Sequence, residues 1–306
     1  MQPSPDTEFV VIRNAGSGPE GRREDDAALD AALAAKGLRA RIVMVEHGNQ
    51  ITAAVDEALA GGARLIVAAG GDGTVNAVAS RLVDRDVVLG VLPMGTLNHF
   101  ARDLGIPVEL EAAVATLAAG HERRTDVGEV NDRIFLNNSS IGLYPRMVME
   151  REHAQRSLGV GKWPALARAT WHALRHPTSF SAAVCVDGET IERRTPFIFV
   201  GNNCSVLEGF GLGTRTCLDD GVLALYVLRP KSPMGLLWLG LRSLLGIGSH
   251  AGDFDAIQAS NFDIQGRHRD VEVATDGEVA RMTAPIRYRI RPRALRVLAP
   301  APEARP

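Results

Sequence analysis

The sequence predicts an α/β fold in two parts: an N-terminal doubly wound, mostly parallel sheet domain, then a β-rich, antiparallel, sandwich-like domain. Three observations lead there. The chain has 306 residues, and domains of roughly 100–200 residues make two the expected number. Over residues 1–125 short apolar runs alternate with helical patterns, the rhythm of a parallel sheet covered by helices. Beyond, the runs become short strands separated by turn signals, as in antiparallel sheets.

Each element follows from its residues. Phe9–Arg13 is an apolar strand. Pro19–Lys36 carries early acids and helical spacing, and Gly37 stops it. Leu38–Val45 is a second strand, and Ile51–Ala60 a helix closed by Gly61-Gly62. Leu65–Ala69 is wholly apolar, as a strand buried on both faces requires. Thr74–Val83, Asn98–Leu104 and Val108–Ala119 read as helices, and Val87–Leu92 as a strand. In the second part Ile134–Ile141, Phe180–Val186, Thr190–Val200, Val222–Leu228, Ala256–Ile264, Val271–Thr275 and Ile286–Ile290 read as strands. Arg146–Arg156 and Pro164–Arg175 read as helices.

Composition excludes several classes. Hydrophobic residues make up 45% and charged residues 23%, which is globular and not disordered. A net charge of −2 argues against a protein that coats nucleic acid. Of 34 cationic side chains only Lys36, Lys162 and Lys231 are lysines, the mark of an arginine-biased composition. Cys185, Cys204 and Cys217 are the three cysteines. Without paired spacing they form no disulfide framework or zinc site and suit a cytoplasmic protein. The N-terminus lacks the pattern of a secretory signal. The longest apolar run, Met234–Ile247, is interrupted by Arg242 and falls short of the roughly 20 residues of a spanning helix. It is either a core helix or a surface that touches a bilayer.

The strongest chemical signal is Gly70-Gly71-Asp72-Gly73-Thr74, between an apolar strand and a helix. Glycines there let backbone amides approach an anion, and the helix N-terminus adds a favourable dipole. The spacing fits neither the P-loop nor the G-x-G-x-x-G fingerprint. Asn14-Ala15-Gly16-Ser17-Gly18 follows the first strand, and Pro93-Met94-Gly95-Thr96-Leu97-Asn98 the fourth. Singly, each is also an ordinary connection. Together, three such loops at the carboxyl ends of parallel strands describe a pocket for a polyphosphate.

These residues resemble the diacylglycerol kinase catalytic-domain family. GGDGT and PMGTLNHFARDLGIP are followed in order by FLNNSSIGLYP at Phe135–Pro145 and GNN at Gly201–Asn203. CLDDGVL at Cys217–Leu223 and TDGE at Thr275–Glu278 complete the series. The pattern is most similar to the bacterial soluble lipid kinases related to YegS and DgkB, on the NAD kinase/diacylglycerol kinase-like fold.

The resemblance implies an ATP- and Mg2+-dependent lipid kinase acting on diacylglycerol, phosphatidylglycerol or a sphingoid base. ATP would be contacted by Asn14, Ala15, Gly16, Ser17 and Gly18, by Gly70, Gly71, Asp72, Gly73, Thr74, Val75 and Asn76, and by Gly95, Thr96 and Asn98. Asp72 would organise the metal–nucleotide centre and Asp276 would be the general base. A structural Mg2+ would take the Asp220 carboxylate and the Cys217 and Val222 carbonyls; oxygen ligands suit that ion. Residues 1–125 would bind nucleotide and 126–293 lipid, with a last strand near 294–300 returning to the first domain. The enzyme would be cytoplasmic and peripheral, reaching its lipid from the bilayer surface without a transmembrane segment; a homodimer is compatible.

Two positions depart from the family pattern. His99 follows Asn98 where relatives often carry aspartate, and Glu46-His47 ends the second strand where relatives often offer threonine. Read from the residues alone, Asp276-Gly277 is also an ideal two-residue hairpin turn, as is Asp187-Gly188. Two alternatives stand beside the lipid kinase. NAD kinases share GGDGT, but the FLNNSSIG run has no acid for an Asn-Glu pair. The other is a catalytically silent nucleotide- or lipid-sensing protein.

Overall fold

The computed structural model describes residues 9–15, 22–142, 180–186, 189–203, 205–208, 211–215, 217–229, 235, 254–266 and 269–301. Gly16–Gly18, the helices expected over 146–175, the Asp187-Gly188 turn and Met234–Ile247 apart from Gly235 lie outside the described residues. The chain divides into two compact units: residues 1–127 with 292–306, and residues 128–291.

In the first unit β1 (Phe9–Asn14), α1 (Arg22–Ala35), β2 (Ala40–Val45), α2 (Gly48–Ala60), β3 (Leu65–Gly70), α3 (Asp72–Leu82) and β4 (Val88–Pro93) alternate strictly. Then come α4 (His99–Asp103), α5 (Leu110–Ala119) and β5 (His121–Val130), which continues into the second unit. The sheet order is β2-β1-β3-β4, and every one of these pairings is parallel. Each residue of β3 and β4 is buried, which is why those strands lack polar alternation. Helix α2 turns Ile51, Val55 and Ala58 inward. It starts before Ile51 because the Gln50 side chain accepts the Glu46 and His47 N–H groups, at 2.9 and 3.1 Å, and so satisfies donors ahead of the first turn.

The second unit is β-rich. Its elements are β6 (Arg133–Phe135), β7 (Asn138–Gly142), β8 (Phe180–Val186), β9 (Glu189–Thr195), β10 (Phe197–Asn202), β11 (Ser205–Glu208), β12 (Gly211–Arg215) and β13 (Leu223–Leu228). There follow β14 (Phe254–Ala259), β15 (Asn261–Gly266), β16 (Asp270–Thr275), β17 (Glu278–Thr283) and β18 (Ile286–Ala299). One sheet has the order β14-β13-β10-β7-β16-β17 and is antiparallel throughout. The other runs from β18 through β15 and β8 to β9, also antiparallel. A single core joins them: Ile141, Ile198, Val200, Leu225 and Val273 from one sheet meet Phe262, Ile264, Ile286 and Tyr288 from the other. Face-to-face packing of this kind is a sandwich. Within it the Tyr288 ring stacks on Phe262 with centroids 5.0 Å apart, and its hydroxyl shares a 2.9 Å hydrogen bond with Ser139 Oγ. Burial drives the Tyr288 phenol well above its usual range, and the Ser139 bond opposes that only in part.

Three expected strands each break into two that belong to different sheets. Ile134–Ile141 separates into β6 and β7, because the N–H groups between them turn to a carboxylate described below. Thr190–Val200 separates into β9 and β10 at Pro196, which has no N–H to give a ladder. There Thr195 Oγ1 donates to the Leu228 carbonyl and accepts the Phe197 N–H. Ala256–Ile264 separates into β14 and β15 at Ser260, whose carbonyl accepts the Ile290 N–H. Strand β5 and the β11–β12 hairpin were not expected; the charged start of β5 hides its register. Strand β18 is longer than expected. Its first half alternates buried Ile286, Tyr288 and Ile290 with exposed Arg287 and Arg289. Its last residues belong to the first unit, with Arg296 and Val297 running parallel beside Val88 and Leu89 of β4.

Candidate active site

The first unit places three loops at one edge. Strand β1 lies between β2 and β3, so chain direction across the sheet reverses there, and open α/β sheets bind ligands outside the carboxyl ends at such a switch point. The loops after β1 and β3 flank it, and side chains tie them together. Asn14 Nδ2 donates to Thr74 Oγ1 at 3.0 Å, while the Ala15 N–H bonds the Val45 carbonyl at 2.9 Å. Thr74 is 3% exposed, and its side chain packs on Gly70 so closely that a Cβ at Gly70 would lie 2.6 Å from Thr74 Oγ1.

The third loop is fastened to the second. The Met94 N–H donates to the Gly70 carbonyl at 3.0 Å. A Cβ at Gly95 would lie 2.5 Å from Gly71 Cα, a distance at which only glycine fits. Asn98 is buried in the left-handed region, φ 51°. Its amide folds back on Gly95, accepting that residue's N–H at 3.0 Å and donating to its carbonyl at 2.8 Å. Asp72 opens α3, where a negative side chain favours the dipole. Its Oδ1 accepts the Phe100 N–H at 3.3 Å, which links α3 to α4.

The remaining residues expected here are placed as follows. Gly73 and Thr96 are exposed and His99 is half-buried. Asn76 is half-buried, with a buried Oδ1 that has no hydrogen-bond partner among the described residues. Val75 turns its side chain into the core and gives its N–H to the Gly71 carbonyl, so it serves packing. Sequence reading overlooked Arg13, a charge inside an apolar strand, which is 1% exposed; that incongruity was its signal.

The second unit places Asp276 at the β16–β17 turn. Thr275 pairs with Glu278, and Asp276 and Gly277 have φ of 47° and 88°, the positive values a primed hairpin turn requires. The turn also aims a carboxylate. Asp276 Oδ2 accepts the Leu136 N–H at 2.7 Å, and Oδ1 accepts those of Asn137 and Asn138 at 2.9 and 3.0 Å. The Asp276 N–H in turn donates to the Asn138 carbonyl at 2.9 Å. Asn202 braces the same segment, its Nδ2 donating to the Leu136 carbonyl at 2.9 Å. The Asn-rich run is therefore the cradle of Asp276, a role that only the break in its strand reveals.

The Cys217–Val222 turn is the candidate metal position. Asp220 is exposed, Gly221 is left-handed at φ 72°, and the Val222 carbonyl already accepts the Asn203 N–H at 3.0 Å. The Cys217 thiol donates to Asp220 Oδ2. One carboxylate with nearby carbonyls fits a hard cation. Among the described residues no three His, Cys, Asp or Glu side chains gather as a metal cluster, so an ion here would depend on carbonyls and water.

An open parallel sheet whose glycine-bearing loops after β3 and β4 are fastened together at its carboxyl edge, in a chain that also carries an antiparallel sandwich, defines the class: a two-unit α/β protein with a loop-built ligand site. Comparison with known proteins narrows it. The family model "Diacylglycerol kinase catalytic domain" matches residues 8–130, and "YegS C-terminal NAD kinase beta sandwich-like domain" matches residues 151–299. A diacylglycerol kinase of Staphylococcus aureus strain MRSA252 is 27% identical over 279 residues, covering 88% of this chain and 85% of that protein. The strain Newman protein gives the same identity and coverage. The crystal structure of a diacylglycerol kinase from Bacillus anthracis strain Sterne covers 96% of this chain and 97% of its own, with a TM-score of 0.73 and 23% identity, an agreement in fold. The chain belongs to the diacylglycerol kinase catalytic-domain family and is a lipid-kinase-type transferase. Among the described residues no helix is long and apolar enough to cross a membrane.

Proposed function

We propose that this protein transfers the γ-phosphate of ATP, with Mg2+, to the hydroxyl of a membrane lipid alcohol such as diacylglycerol, phosphatidylglycerol or a sphingoid base. The observation that carries the reading is the fastening of three loops at the switch point by the Asn14–Thr74 bond and the Gly71–Gly95 contact. Phosphoryl transfer needs positioning and charge stabilisation more than covalent chemistry, and rigid backbone donors beside a helix N-terminus supply both. Residues 1–125 take the nucleotide role and 126–293 the lipid role.

Asp72, at the first turn of α3, holds the metal–nucleotide centre, where Mg2+ would neutralise charge on the phosphates. Asp276 receives the proton of the acceptor hydroxyl. Its three N–H partners fix the carboxylate in one orientation, and such orientation is what a proton acceptor at a reacting hydroxyl requires. Asp220, with the Cys217 and Val222 carbonyls, holds the structural Mg2+. The enzyme works from the cytoplasm at the bilayer surface, where its substrate resides.

The test is transfer of label from γ-labelled ATP to a panel of diacylglycerol, phosphatidylglycerol, sphingosine and NAD. Labelled lipid supports the reading. Labelled NAD replaces it with an NAD kinase.

A further inference from the structure

Arg13 is the bulkiest of the fully buried side chains described, at 1% exposure. It stands near the end of β1, in register with Ala69 of β3 and Met44 of β2. Its Nε donates to Asp26 Oδ1 at 3.0 Å, and its Nη1 donates to the Asn14 carbonyl at 3.1 Å. Asp26 lies on α1, one-third exposed. Arg13 therefore holds two points at once: the carbonyl of Asn14, where β1 ends, and Asp26 on α1. Asn14 is tethered twice, its carbonyl by Arg13 and its amide by Thr74.

A buried ion pair is weak support for stability, because desolvation offsets the attraction, and apolar residues of similar volume often serve as well. The strand itself would accept an aliphatic side chain here, as its neighbours Val10, Val11 and Ile12 show. What an aliphatic side chain cannot do is hold a carbonyl and a carboxylate at once. The planar guanidinium, with several fixed donors, can.

We infer that Arg13, with Asp26 as its counter-ion, is a positioning residue for the nucleotide phosphates: it holds Asn14 and, through the Asn14–Thr74 bond, the loop after β3. It acts through Asn14 and touches no phosphate itself. The inference rests on reading these loops as the nucleotide site.

The experiment measures ATP–Mg2+ binding to the full chain without lipid, by calorimetry, for wild type, Arg13→Met, Arg13→Lys and Asp26→Asn, with a melting temperature for each. Wild type is expected to bind. Arg13→Met should weaken binding by roughly tenfold, the loss of a charge-assisted hydrogen bond. Its melting temperature should hold or rise, because a buried charge is removed while Asp26 keeps its access to water. Arg13→Lys has a single nitrogen in place of the several fixed donors of the guanidinium and should fall between Met and wild type, and it carries the test if Arg13→Met does not fold. Asp26→Asn keeps an acceptor oxygen and should lose least. In assays at saturating lipid with ATP varied, Arg13→Lys should raise KM for ATP with kcat within about twofold of wild type, because the transfer step itself is untouched. Wild-type affinity in both Arg13 variants overturns the inference while leaving the nucleotide site standing. A wild type that binds no ATP overturns both. Weakened binding accompanied by an equal loss of melting temperature in Arg13→Lys assigns the residue to folding instead.

Discussion

Gly71 and Gly95 meet backbone to backbone: a methyl group on Gly95 would stand 2.5 Å from Gly71 Cα and 2.9 Å from Asn98 Oδ1. Two loops from neighbouring parallel strands are thus in direct contact, with no side chain between them. Gly95→Ala must push the third loop off the second. Overpacking of this kind costs about 1–3 kcal/mol, and here the shift falls on the proposed phosphate site. The expected outcome is a folded protein with ATP affinity lowered by at least roughly tenfold, read by titration; unchanged affinity removes the third loop from the nucleotide site.

Thr74 Oγ1 accepts the Asn14 amide while its methyl packs under Gly70. Thr74→Val keeps the shape and removes the acceptor. It should cost about 1 kcal/mol of stability and raise KM for ATP. Thr74→Ser, which keeps the oxygen, should retain most of the affinity. Equal KM for both variants would show that the Asn14 link does not hold the loop.

Asp276 satisfies three backbone donors in the second unit. Asp276→Ala leaves the Leu136–Asn138 N–H groups without that acceptor, at about 1–3 kcal/mol for each donor that stays buried, and should lower the denaturant midpoint markedly. Asp276→Asn keeps one acceptor oxygen but turns an NH2 group toward N–H donors, so an intermediate midpoint is expected. Asn138→Ala, which keeps its backbone N–H, should leave the cradle intact, and its midpoint should stay nearest to wild type.

Tyr288 is a fully buried phenol whose ionisation is pushed upward by burial. A folded-state value above the unfolded one, about 10, means that the neutral ring's contribution is complete below that pH and is lost as pH rises beyond it. At pH 7 Tyr288→Phe should cost about 1 kcal/mol for the Ser139 bond, while Ser139 Oγ keeps its bond to the Ala274 carbonyl. Above pH 10 the variant should match and then exceed wild type in melting temperature. A gap that stays constant through pH 11 would contradict this.

Much of the fold was legible because local and global preferences agree. Leu65–Gly70 is apolar throughout and could only be an inner strand, and the glycine run after it could only be a loop. The places that resisted are those where a tertiary partner decides. The break between β6 and β7 exists because Asp276, 138 to 140 residues away, takes the N–H groups of that segment. The break at Pro196 was readable from proline chemistry, but the strongly β-forming residues around it outweighed the signal. Arg13 was read as part of an apolar strand because its counter-ion lies 13 residues on, on a helix. The loops of the candidate site were visible as sequence. Their fastening through Asn14–Thr74 and Gly71–Gly95 was not, because no local pattern encodes which loops touch.

The most direct test of phosphoryl transfer to a lipid hydroxyl is γ-phosphate transfer from labelled ATP with Mg2+ to diacylglycerol-containing vesicles, comparing wild type, Asp276→Asn and Asp187→Asn. Asp187-Gly188-Glu189 is a second Asp-Gly-Glu run in this chain, so its variant controls for the loss of an acid beside a glycine. The account predicts labelled lipid from wild type and from Asp187→Asn, and at least a hundredfold loss with Asp276→Asn, the scale of removing a positioned acid–base group. Equal transfer by all three would contradict Asp276 as the proton acceptor. No labelled lipid from a wild type that binds ATP would contradict the proposed reaction on this lipid.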